Sequence, residues 1–391
     1  MIRRLAVLLA AAALVAPTAP AHAADEAWDV PATARITVEG KGFGHGRGMS
    51  QYGAQHAATL GVGHRDIVSY YYPGTTWGTA SGAIRVWISN DLTNDVQVAA
   101  RSGLRAKRVG GTVSWNLAKA QPRAKRWRIN PAGDSASVLE YLYRGWHQFR
   151  RVRGSLEFAA GGPIRLYTAS GPVDYRGTLR SVPSSTGNRI TVNVLPLETY
   201  LRGVLPKEVI ASAWEQEALR AQAVAARTYA ARQRVVRAAK VFDVCDTDAC
   251  QVYGGVSAEY PTTDTALRAT AGDILTYDGA PAFTEFTASS GGWTVAGDAP
   301  YLTAMPDKWD SPSDPNHQWR VDFTDAELER TWPTVGDLQR IAVAGRDGNG
   351  EWGGRVGTVT LTGSSGEVTV SATQFRQALR LRSTWLNFTV S

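Results

Sequence analysis

Apolar and polar positions divide the chain into stretches of different period. Residues 34–39 alternate as a strand does, and a run with glycine at every second position, 42–48, follows. Ser50 is placed to cap a helix carrying Tyr52, Ala57 and Leu60. A second helical stretch, 67–72, stops at Pro73-Gly74. From about 83 to 193 the period falls to two. Short runs at 84–88, 96–98, 112–115, 164–167 and 190–194 predict strands, and 138–143 is ambiguous between helix and strand.

The middle of the chain returns to a helical period. Pro196 suits a first helical position, and Leu197, Tyr200, Leu201 and Val204 form one stripe that Pro206 is expected to end. Ser212 and Glu215 match a capping box, predicting a long helix to about Lys240. Its alanines (Ala218, Ala221, Ala223, Ala225, Ala226, Ala230 and Ala231) predict a buried central element that neighbours approach closely. Residues 241–310 revert to short strands and loops. The segment 319–391 mixes a helix near 326–332, strands at 356–361 and 367–370, and a helix at 373–381. The expected class is α+β: a β-rich unit, a central alanine-rich helix and a helix-turn-helix, in a loop-rich chain.

The first residues change the picture of where the protein works. Met1-Ile2-Arg3-Arg4, the apolar run 5–16 and Ala21-His22-Ala23 read as an export signal cleaved after Ala23. That run is too short to span a bilayer, and no later one is longer, so a secreted, cell-wall-associated protein without a transmembrane segment is expected. The formal charge of +7 falls to +5 without Arg3 and Arg4. Outside a cell such a surface meets anionic wall polymers, and the absence of a basic helix or an aromatic RNA-binding signature disfavours nucleic acid. With 20% charged residues, 39 glycines and 13 tryptophans, the composition fits a globular fold and not a disordered one.

Candidate chemistry is sparse. Cys245 and Cys250 are the two cysteines of the chain. In an oxidising compartment a local disulfide is the simplest reading, with a metal site or free thiols as alternatives. No His stands beside the pair, and His45 or His317 would have to come from far along the chain. Glu208 falls in the expected turn between two helices, where burial against Val209 and Trp214 would raise its pKa into the range of a general acid. It also reads as an ordinary helix-end glutamate. No second carboxylate at a fixed spacing marks a two-carboxylate glycosidase, and no Gly-x-Ser-x-Gly elbow marks a serine hydrolase. His45 reads equally as a base, a ligand or a structural residue.

Longer motifs add to these odds. Residues 200–209, Tyr-Leu-Arg-Gly-Val-Leu-Pro-Lys-Glu-Val, and 217–230, Glu-Ala-Leu-Arg-Ala-Gln-Ala-Val-Ala-Ala-Arg-Thr-Tyr-Ala, resemble the signature of the SpoIID/LytB domain family, the stage II sporulation protein D type. Cys250-Gln251-Val252-Tyr253-Gly254-Gly255 and Ser289-Ser290-Gly291-Gly292 resemble two further family motifs, and Gly44 to Ala54 with Tyr71 to Thr75 a fifth. That fifth element usually follows the others; here it comes first, which looks like a circular permutation and implies that 40–75 folds back against the helices around Glu208.

The resemblance implies an exported peptidoglycan lytic transglycosylase, with Glu208 as its acid/base and 1,6-anhydro ends as its product. Glycan strands would be the substrate, in some members after their stem peptides have been removed. The alternative it implies is a non-catalytic activator of a cell-wall amidase. It also implies a groove lined by His45, Ser50, Gln51, Gln222, Arg227, Tyr229, Gln251, Tyr253, Ser289 and Ser290. No cofactor is expected: some members hold zinc near the Cys-Gln motif, but Ala249 stands where their His would be. The expected organisation is a signal over 1–23, a leader over 24–39, the catalytic domain over 40–320, and a segment 321–391 completing it. Within the domain lie the permuted element at 40–75, β-rich 83–195, catalytic helices 196–240, and the Cys loop and Ser-Gly motif at 241–320.

Overall fold

A computed structural model describes residues 25–133, 135–184 and 187–391; the expected export signal lies outside them. The chain forms two compact units, one of them the continuous stretch Gly40–Trp319. The other joins the residues before 40 to Arg320–Ser391. The stretch read as a leader and the stretch read as completing the catalytic domain therefore pair with each other in a unit of their own.

In this smaller unit β1 (Glu26–Asp29) lies at the edge of a four-stranded antiparallel sheet with Leu338–Ala344, Thr358–Gly363 and Gly366–Ser371. The strand β2 (Arg35–Gly40) runs between Trp319–Thr324 and Leu386–Val390. Ile36, Val38, Ile341, Leu361, Phe375 and Phe388 fill its interior. Its helices Asp325–Thr331 and Ala372–Ala378 each begin with a complete capping box, from Thr324 with Glu327 and from Ser371 with Gln374.

The larger unit opens with β3 (Met49–Ser50), α1 (Gln51–Thr59) and α2 (His64–Tyr71). As expected, Ser50 caps α1, its hydroxyl accepting from the Gly53 N–H. Next come β4 (Thr76–Thr79), β5 (Ala83–Trp87), β6 (Val96–Ala99), β7 (Arg105–Arg108), β8 (Ser114–Asn116) and the one-turn α3 (Leu117–Ala120). They are followed by β9 (Arg126–Pro131), β10 (Ala136–Leu142), β11 (Trp146–Arg153), β12 (Leu156–Ala159), β13 (Ile164–Thr168), β14 (Gly171–Tyr175), β15 (Thr178–Pro183) and β16 (Arg189–Pro196). The ambiguous 138–143 is thus strand: Leu139 and Tyr141 alternate inward against Ile129 and Trp127.

These strands make two sheets. One has the order β11-β10-β9-β6-β13-β14. The other runs β17-β5-β16-β15-β12-β7-β8, where β17 is Val244–Cys245. Trp127, Ile129, Leu166, Phe158 and Leu179 close one apolar core shared by both sheets. Two helices then follow β16: α4 (Leu197–Glu208) and α5 (Gln216–Val236). After them come α6 (Pro261–Ala269), β18 (Asp273–Tyr277), β19 (Ala280–Pro281) and β20 (Phe286–Thr287).

Three local expectations are corrected here. Pro206 does not end the helix; α4 continues through it to Glu208, so the carboxylate is the last helical residue and not part of a turn. A proline near a C-terminus removes one N–H and crowds one carbonyl, a loss that two further residues can carry. The Ser212/Glu215 capping box does not form: α5 starts at Gln216 with Glu215 at its cap and no side-chain cap bond. It also stops at Val236, short of Lys240.

The alanines of α5 do what their size allows. Ala223, Ala226 and Ala230 face the β-sheet core, while Ala218, Ala221 and Ala225 face α1, α2 and β18. The amino-terminal element thus folds back on α5, and β3 pairs in parallel with β20, Met49 opposite Phe286. Gly48 makes this approach feasible: its φ is +67°, and a Cβ there would run into the Glu285 carbonyl.

Candidate functional site

A cavity of about 580 Å³ opens where the end of α4, the Cys245–Cys250 loop, the glycine-rich run and β20 converge. Glu208, His45, Gln51 and Tyr229, four of the candidate residues, line it. About 160 residues separate His45 from Glu208 in sequence, and the folding back of the amino-terminal element brings them to one wall.

Glu208 is half-buried. Desolvation pushes its carboxyl up to about 7, against a weaker opposing pull from the Val252 N–H that it accepts. Its place at the negative end of α4 acts in the same direction as burial. Tyr229 is held above its usual range, mainly by burial. It stacks on Phe283 with ring centroids 5.7 Å apart, giving the cavity an aromatic wall.

The cysteines are joined, with Cα atoms 5.4 Å apart, and the loop they close lines the cavity through Asp248, Ala249 and Cys250, with Val252 just beyond it. Its residues alternate in role. Gln251 turns inward, accepting from the Tyr200 hydroxyl at 3.2 Å and donating to the Ala226 carbonyl at 3.3 Å. Tyr253 also turns inward, donating to Asn193 at 3.0 Å. Both were expected to touch a ligand; they anchor the loop instead.

Arg227 is corrected more sharply. Its guanidinium is fully buried and grips Glu198 through two bonds of 2.7 and 2.9 Å, with a further bond to the Asp273 carbonyl. This arginine ties α5 to α4 and reaches no cavity. Gln222 is likewise buried in α5, and neither atom of its amide has a hydrogen-bond partner. Ser289 and Ser290 lie under the floor: Ser290 donates to Asp307 at 2.7 Å, and its N–H donates to Ser50, which is buried too. Ser50 therefore fastens two loops beneath the cavity.

Two charged residues went unnoticed in the sequence. Arg47 and Glu285 form a two-bond pair of 2.9 and 2.8 Å in the cavity wall. Nothing in local spacing marks them, because 238 residues separate the partners. His45 accepts the Arg47 N–H on Nδ1 at 3.0 Å, and Gln51 keeps its buried Nε2 without a partner. No group of three or more His, Cys, Asp or Glu residues suited to a metal occurs among the described residues.

Residues 185–277, which carry α4, α5 and the Cys loop, match the family model described as Stage II sporulation protein. Over this segment the chain is similar to the SpoIID/LytB family. It is 36% identical over 180 residues to a protein of Bacillus subtilis named Stage II sporulation protein D, covering 39% of this chain and 51% of that one. A protein of the same name from Bacillus amyloliquefaciens is 30% identical over 229 residues, covering 52% and 63%. A third relative, the Amidase enhancer of Bacillus subtilis, is 37% identical over 135 residues, covering 33% and 17%. The chain thus spans less than two thirds of each. Among the described residues no helix is long and apolar enough to cross a membrane.

Proposed function

We propose that this chain is an exported peptidoglycan lytic transglycosylase, with Glu208 as its one acid/base. The observation that supports this most is a carboxyl in a cavity wall with a pKa near 7. Such a group holds a proton at neutral pH and gives it up readily, which both halves of the reaction require. In the first half Glu208 protonates the glycosidic oxygen as the bond to the anomeric carbon of N-acetylmuramic acid breaks, and N-acetylglucosamine leaves. In the second, the C6 hydroxyl of the same muramic residue attacks that carbon and returns its proton to Glu208, closing a 1,6-anhydro ring. Protons balance without water, so a second carboxylate is not needed to activate one.

The walls suit a sugar strand. Tyr229, Phe283 and Phe286 offer apolar faces to ring C–H groups, and the Gln51 amide offers a donor. The name of the third relative supports a second reading, a wall-bound activator of an amidase. Incubation with purified glycan, followed by mass spectrometry for anhydro products, separates the two. Wild type should release them and Glu208→Gln should not; equal release would overturn the role of Glu208. No release from either, with faster hydrolysis by an added amidase, would favour the activator.

A further inference from the structure

Positive charge is distributed very unevenly in this chain. Residues 101–153 hold thirteen Lys and Arg against Asp134 and Glu140, a net +11 that exceeds the +7 of the whole protein. Of the thirteen, only Lys107 and Arg128 pair with a carboxylate among the described residues. Ten are arginines, whose planar forks match carboxylates better than ammonium groups do.

The register of the six-stranded sheet gathers part of this charge on one face and at one end, while Arg105, Lys107 and Arg108 lie on β7 of the other sheet. Arg126 and Arg128 of β9 stand opposite Leu142 and Glu140 of β10, which in turn face Trp146 and Gln148 of β11. Arg151 and Arg153 continue the same face. The inward partners Trp127, Ile129 and Leu139 occupy the other side. Two arginines of β9 reach across an intervening strand to aromatic rings: Arg126 over Tyr167 of β13 at 3.8 Å and Arg128 over Trp146 of β11 at 4.1 Å.

At one end β6 stops, β9 starts and β10 turns into β11, so Arg101, Arg123, Lys125, Arg126 and Arg144 come together. A cleft of about 470 Å³ opens there, lined by Arg101, Ser102, Pro163, Arg165 and Asp174. Asp174 is engaged by Arg165 through two bonds of 2.9 Å and also feels the charge of Arg101, whose guanidinium bonds to the Pro163 carbonyl, so two arginines share one carboxylate in the cleft. The concentration of charge exceeds what solubility asks for, and it lies on a sheet that the Glu208 cavity does not use.

We infer that this face and its end cleft hold the stem-peptide carboxylates of peptide-bearing glycan, so that the chain docks on intact wall through residues 101–153. The inference rests on the reading of the substrate as wall glycan, but not on catalysis. Carboxylates repeat along such a strand once per peptide, and a broad field of exposed arginines engages several at once.

The test is co-sedimentation with peptide-bearing sacculi stripped of phosphodiester polymers, with peptide-free glycan made from them, and with duplex DNA as competitor. Wild type should sediment with peptide-bearing sacculi and release with rising salt. Arg101→Gln/Arg123→Gln/Arg144→Gln should weaken retention about tenfold, some 1.4 kcal/mol. Arg330→Gln/Arg340→Gln/Arg380→Gln, removing equal charge elsewhere, should retain it, with both triple variants melting as wild type does. Equal retention on peptide-free glycan, equal loss in both variants, or preference for DNA would each overturn the inference. Glu208→Gln should sediment normally, and a wild type that docks yet releases no anhydro products refutes the catalytic reading alone.

Discussion

Replacing Glu208 by Gln keeps the shape of the side chain and its bond from the Val252 N–H while removing its titration. The folded carboxyl titrates at about 7 against an ordinary value of 4.5. That gap is worth about 3 kcal/mol at roughly 1.4 kcal/mol per pH unit. The folded value is the higher, so the favourable contribution is complete below pH about 4.5 and is lost as pH rises through about 7. Wild type should therefore lose about 3 kcal/mol from this residue between pH 4.5 and 8.5, and the variant should not. In the unit Gly40–Trp319, an unfolding entropy of about 2 cal/mol/K per residue converts this into about 5 °C. Thermal melts of both proteins at several pH values give the answer directly. The variant should match wild type at about pH 4 and exceed its Tm by about 5 °C at pH 8.5. A difference in Tm that stays constant across the range would refute burial as the cause of the raised value.

Other substitutions probe neighbouring parts of the argument. Arg227→Ala should cost about 3 kcal/mol in urea unfolding by emptying a buried site and taking a donor from the Asp273 and Leu267 carbonyls, with KM for glycan unchanged; a raised KM at full stability would return Arg227 to the groove. Gly48→Ala should destabilise by about 2 kcal/mol more than Gly61→Ala, since both have positive φ but nothing lies within 4 Å of a Cβ at 61. Equal costs would mean that contact with Glu285 is unimportant. Cys245→Ser/Cys250→Ser should lose less than about 3 kcal/mol, because the loop is short, yet lose most glycan cleavage as the wall from Asp248 to Val252 loses its shape. Full activity in that variant would show that the disulfide is dispensable to the cavity.

The parts of the fold governed by local pattern were legible. Periodicity located β5, β6, β8, β13 and β16 of the β-rich unit and the helix that Ser50 caps, but not β7, β9, β11, β12, β14 or β15, and a run of alanines announced a helix packed on both sides. Long motifs pointed to Glu208. What they could not separate was ligand contact from scaffolding. Arg227, Gln251, Tyr253, Ser289 and Ser290 belong to motif segments, but their side chains are spent on Glu198, Tyr200, Asn193 and the floor of the cavity. Arg47 and Glu285 show the opposite failure: a pair assembled across most of the chain carries no local signature. Pro206 misled because a proline's cost depends on how much helix remains after it.

The smaller unit has a consequence for the order of synthesis and folding. Its strand β2 must wait for partners made some 280 residues later, at Trp319–Thr324 and Leu386–Val390. Closing so long a loop in a flexible chain would cost about 5 kcal/mol before any strand paired. The larger unit removes most of that cost once folded, because its own two ends are fastened together. The Gly42 N–H bonds to the Asn316 carbonyl, and the Trp319 indole bonds to the Gly42 carbonyl at 2.9 Å. As the chain emerges in amino-to-carboxyl order, then, the cavity-bearing unit can close before the carboxyl-terminal strands have arrived, and the smaller unit is the last to form.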